Sequence, residues 1–119
     1  MSTNQIFKIK RNDTLPPLTI QVKQRGSLGE VINFNMSGLT SATFTMVDEC
    51  GNSKIYAKSA TTLCTAEQGL VSYNWGLGDT DTSGTFLGEF ELTFFDGNIF
   101  SIPPSGGIRI EISDDLNSF

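Results

Sequence analysis

Histidine is absent from this chain of 119 residues, which removes the commonest general base and the usual zinc ligand together. A serine or cysteine nucleophile therefore has no imidazole to activate it. The eight lysines and arginines stand in no context that singles one out as a base, so the expectation is a protein without catalysis. Cysteine is scarce: two residues do not make a disulfide scaffold. Cys50 lies in the turn-like DECGN and Cys64 in the strand-like TTLCTA. One bridge closing a short loop is geometrically conceivable, and two free thiols, one of them packed, is the alternative that the composition favours.

Basic runs are missing too. The net charge of -5 is spread along the chain, which argues against a phosphate-tracking surface and against a nucleic-acid partner. No apolar stretch approaches the roughly 20 residues of a membrane helix, and MSTNQIFKIKRND has no continuous apolar core of a secretory signal. The expectation is no membrane association and a chain that stays where it is made.

What is present is alternation. With 38% hydrophobic residues, 12 Gly and 9 Phe against one Trp and two Tyr, the composition suits turns and packed strands in one domain over 1–119. Phe7 and Ile9 alternate with Lys8 and Lys10, and Ile20 and Val22 resume the pattern beyond NDTLPPL. Pro16 and Pro17 cannot donate ladder bonds, so this first strand should be split and lie at a sheet edge. Ile32, Phe34 and Met36 share one face of the next strand, and Ala42, Phe44 and Met46 share one face of the strand after it.

The clearest run is FLGEFELTFF, with Phe86, Gly88, Phe90, Leu92 and Phe94 on one face and Leu87, Glu89, Glu91 and Thr93 on the other. Asp96-Gly97 after it signals a two-residue type I′ hairpin turn. Ile108, Ile110 and Ile112 form the last strand, and 113–119 is a short polar tail. About eight short strands without a helical crossover predict an all-β, antiparallel β-sandwich of the immunoglobulin-like kind, with a small closed barrel as the alternative.

Candidate sites are few. In GDTDTSGTF, Asp79, Asp81, Ser83 and Gly84 match the early positions of a calcium loop, but the place of its bidentate carboxylate falls on Phe90. No metal is therefore expected, Asp79 and Asp81 being weak candidates at most. The segment reads as a corner in which Gly78 and Gly84 supply unusual φ and the Asp, Thr and Ser side chains bond local backbone. Glu89 and Glu91 read as a solvated strand face rather than a catalytic carboxylate pair. Tyr73 and Trp75 read as core, with a sugar-stacking platform as the alternative if their face is exposed. Lys8, Lys10 and Arg11 form a small basic cluster that defends an edge or, together with Asp13, offers a docking patch.

Three segments, FKIKRNDTLPPL, GLVSYNWGLGDTDTSGTFLGEFELTFFDGNIFSIP and IRIEI, together resemble the N-terminal domain of the phage upper baseplate protein family. The resemblance implies an immunoglobulin-like fold and a structural, non-catalytic role in a tailed-phage virion assembled in the host bacterial cytoplasm. It implies other virion structural proteins as partners and many copies docked on a symmetric scaffold. Baseplate, tail, neck and capsid surface are all admitted. TSGTF is similar to the tyrosine corner of immunoglobulin domains, with Phe86 where the tyrosine would stand. A module binding host-surface saccharide through end loops is the expectation that competes with this role, and no cofactor is expected.

Overall fold

The computed structural model describes residues 6–63, 66–114 and 116. Their alternating segments form β1 (Ile6–Lys10), β2 (Leu18–Gln21), β3 (Lys23–Arg25), β4 (Val31–Asn33), β5 (Leu39–Asp48), β6 (Ser53–Ser59), β7 (Thr61–Leu63), β8 (Leu70–Tyr73), β9 (Gly84–Phe94), β10 (Ile99–Ile102) and β11 (Ile108–Ser113). One sheet has the order β1-β11-β9-β5-β6, with β10 also paired to β9, and a second has the order β2-β8-β7. The strands β10 and β11 follow one another along the same side of β9, at Phe90–Thr93 and Gly84–Gly88 respectively. Taken as one interrupted strand, they give an eight-stranded immunoglobulin-like sandwich, and the β3–β4 hairpin stands beside it as a separate arm.

The period of two in β9 decides which face is interior. Phe86, Phe90 and Leu92 are buried, while Leu87, Glu89 and Glu91 are exposed. Gly88 belongs to the buried face because Phe44 and Ile110 close over it: a Cβ there would lie 2.8 Å from the Phe44 ring and 2.7 Å from Ile110. Phe44 occupies the centre, its ring centroid 4.6 Å from Tyr73, 5.0 Å from Phe90 and 5.9 Å from Trp75. Burying each such side chain stabilises the fold by about 1.5–3 kcal/mol relative to exposure.

Pro16 and Pro17 act where the chain leaves one sheet for the other. The strand before them, β1, lies at an edge of the larger sheet, and β2 after them lies at an edge of the smaller one. The pairing of β1 with β11 is parallel, unlike the other ladders among the described residues. A long connection lets β1 return beside the last strand without a hairpin.

Two local expectations are corrected. Ile32 does not share the interior face with Phe34 and Met36: it is exposed on the β3–β4 arm, which among the described residues pairs with no other strand. The turn at Asp96-Gly97 is not a two-residue type I′ turn. Only Gly97 has positive φ, Gly97 N–H donates to Phe94 O (2.9 Å) and Phe94 N–H donates to Asn98 O (2.9 Å), which makes a three-residue loop. The turns at Asp48–Asn52, with Gly51, and Gly26–Glu30, with Gly29, repeat that bonding pattern. In two of the three an aspartate side chain adds a bond to the backbone two residues on, Asp96 Oδ1 accepting from Asn98 N–H and Asp48 Oδ1 from Cys50 N–H.

Candidate functional site

The sandwich has two differently built ends. At one end β8 passes to β9 through residues 74–83, the segment that holds the calcium-loop pattern. Gly78 and Gly84 have φ of 85° and 145° there. The carboxylate of Asp79 is buried and points inward. Its Oδ2 accepts hydrogen bonds from Tyr73 Oη (2.6 Å) and Gly76 N–H (2.7 Å), and its Oδ1 accepts one from Lys58 Nζ (3.2 Å). Both oxygens are thus engaged by protein donors. Burial, and then the hydrogen bond to Asp79, push the Tyr73 phenol well above its ordinary range.

Asp81 points outward and pairs with Lys54, and that bond holds its carboxyl below the usual range. Thr80 is buried between them. Its hydroxyl donates to Asp13 O (2.8 Å), and its carbonyl accepts from Asn12 N–H (2.9 Å). The Lys8, Lys10, Arg11 and Asp13 cluster therefore adjoins this corner: Asp13 supplies a carbonyl to it, and Arg11 pairs with Asp114 at 3.4 Å. Lys8 and Lys10 lie exposed on β1. Tyr73 and Trp75 are both buried, and Trp75 Nε1 donates to Pro16 O (3.1 Å), so neither ring offers a platform to a sugar. Local pattern could not find the clamp on Asp79, since Tyr73 and Lys58 reach it from other strands.

This corner end also has a groove of about 380 Å³, running from Asp48 to Lys54 on one side and from Thr82 to Phe86 on the other. Cys50 is exposed there, and Cys64 lies outside the described residues. Asp48 is committed to its own turn, and the backbone N–H of Asn52, with those of Cys50 and Gly51, holds its carboxyl below the usual range. Among the described residues no three His, Cys, Asp or Glu side chains are grouped as metal ligands. Met36 and Met46 are core residues.

The opposite end is apolar and open. β9 carries the chain roughly 33 Å along the sandwich to Phe94. There a groove of about 460 Å³ opens between the β9–β10 hairpin and the segment that follows β4. Phe34 forms its floor, its ring centroid 5.1 Å from Phe100 and 5.8 Å from Phe94. Phe95 and Ile99 form its rim, with Phe95 79% exposed and Ile99 61% exposed. The Phe95 ring lies over Gly38, where a Cβ would come within 2.8 Å of it, and Phe95 N–H donates to Gly38 O (2.8 Å). In the sequence Phe34 and Phe94 have only the pattern of strand residues.

No family model and no curated protein matches the chain. Among solved structures, CopC from Methylosinus trichosporium OB3b is similar in fold, with a TM-score of 0.55, 9% identity, and coverage of 98% of this chain and 91% of that one. At that identity the likeness speaks to the all-β sandwich alone. The expected role as a structural component of a tailed-phage virion, with saccharide binding as its alternative, is corrected here. The likeness found runs over nearly the whole chain to CopC, not to a baseplate, tail, neck or capsid-surface protein.

Proposed function

We propose that this protein is a non-catalytic protein-binding module that takes an apolar peptide segment into the groove between Phe34, Phe95, Ile99 and Phe100. One observation carries the reading: the ring of Phe95 and the side chain of Ile99 stand exposed beside half-buried aromatics in a concave site. Grooves of this size, lined by aromatic side chains and a few polar groups, are where small apolar ligands and side chains bind. Asn35, Ser37, Asp96 and Asn98 supply the polar rim. Aromatic anchors that are already held in place bind with little loss of rotamer freedom, and the Gly38 contacts hold Phe95.

Selection of a ribosome-displayed library of random short peptides on the immobilised protein tests the reading. Enriched peptides are expected to protect amides in 34–37 and 94–100 from hydrogen exchange and to lose binding to a Phe95→Ala, Ile99→Ser variant. Enrichment of nothing, or of peptides that protect the Asp48–Lys54 groove instead, would overturn it.

A further inference from the structure

The edges of this fold are not equally defended. An unpaired edge presents backbone N–H and C=O groups that attract another strand, and proteins blunt such edges with lysine, bulges, proline or short length. Along β1 stand Lys8 and Lys10, and β2 follows directly on Pro16 and Pro17. β6 carries Lys54 and Lys58, has register shifts against β5, and places Ala57 at φ 50°. β3 carries Lys23 and Arg25, while β4 and β7 have three residues each. β10 is short and runs directly into Pro103 and Pro104, but it carries no lysine and no bulge: Ile99, Phe100, Ser101 and Ile102 are uncharged and pair with β9 in unbroken register. Among the described residues nothing pairs with its outer edge.

The charge beside that edge is of one sign. Ser101 is the register partner of Glu91, with Glu89 two residues along the same exposed face and Asp96 at the hairpin turn. Among the described residues no lysine or arginine forms an ion pair with any of the three. Adjacent strands lie about 4.8 Å apart, and the short side chain of Ser101 leaves Glu91 within reach of a long cation one strand farther out.

We infer that β10 is a site of strand addition for an extended, basic segment of a partner protein. The added strand places an apolar side chain opposite Ile99, at the mouth of the aromatic groove, and a lysine or arginine two residues away, opposite Ser101 and reaching Glu91. Backbone pairing supplies the bonds common to every sequence, and the alternating basic and apolar side chains supply the selectivity. The inference rests on the protein-binding reading above and names the partner's chemistry.

The test is an NMR titration with the capped peptide acetyl-Thr-Lys-Thr-Val-Thr-Lys-Thr-amide, its glutamate counterpart, and a lysine version N-methylated at alternate amides. The lysine peptide is expected to shift the amides of 99–102, N-methylation to abolish binding, and Glu91→Lys to weaken it about tenfold and move the preference to the glutamate peptide. Equal binding of the methylated peptide, indifference to Glu91→Lys, or pairing of β10 with a second copy would overturn the inference. If library-selected peptides fill the groove while these peptides leave 99–102 unmoved, strand addition fails and the protein-binding reading stands. If nothing fills the groove, both fall.

Discussion

The two ends of the sandwich are built from the same strands and finished in opposite ways. At the corner, a buried carboxylate is met by a phenol, a backbone amide and a lysine, and a buried threonine is bonded to the backbone of 12–13. At the other end, aromatic rings meet each other and stop short of covering Phe95 and Ile99. A buried polar group without a partner costs about 1–3 kcal/mol, so polar chemistry that turns inward has to be completed. An apolar rim left in water costs less per residue and keeps its capacity to bind. The inward polar groups of the one end are thus completed within the protein, and the apolar rim of the other is the surface to which the proposed partner would dock.

The comparison can be broken most forcefully in the interior that both ends share. Phe90→Ala is expected to cost about 3–5 kcal/mol in chemical denaturation, and a near-neutral result would invert the face assignment of β9. Asp79→Ala comes next, at about 2–4 kcal/mol, because the Tyr73 hydroxyl and the Gly76 amide lose their acceptor. Its melt should respond identically to calcium and to chelator, since both carboxylate oxygens already have donors. Asp81→Ala, at an exposed ion pair, should change stability far less than Asp79→Ala.

A smaller effect lies at alkaline pH. Tyr73 keeps its proton in the folded protein beyond the ordinary value of 10.0. Above that pH the unfolded chain releases this proton while the folded one retains it, so stability present below about pH 10 declines as pH rises. The decline should be shallower in Tyr73→Phe, as followed by denaturant midpoints across that range. Smallest of all is Phe95→Ala, expected within about 0.5 kcal/mol of the parent although it removes a whole ring. A large loss there would mean that the ring is part of the core, and the contrast between the ends would disappear.

The alternation in β9 and β5 was legible because a strand with one wet face must alternate, and those strands lie in the middle of the larger sheet. The division at Pro16 and Pro17 was legible for an equally local reason. What could not be read were relations between distant segments. Asp79 has the local look of a turn residue, and its role as an inward clamp depends on Tyr73 and on Lys58, which lies 21 residues away in sequence. Ile32 follows the same alternation as Met36, yet only Met36 is buried. The parallel return of β1 to β11 carries no signature in either strand. The aromatic groove was hidden for the same reason, since Phe34 and Phe95 belong to separate hairpins and each resembles an ordinary strand residue.

The parallel pairing also fixes where the chain points. Lys10 lies opposite Ser113, so β1 and β11 both finish at the corner end, where Arg11 N–H bonds Ser113 O (2.7 Å). That puts the exit of the last strand beside the start of β9, at the opposite end of that strand from Phe95 and Ile99. A fluorophore, bead or tether joined beyond Ser113 would hold the molecule like a handle and leave its aromatic tip pointing outward into solution.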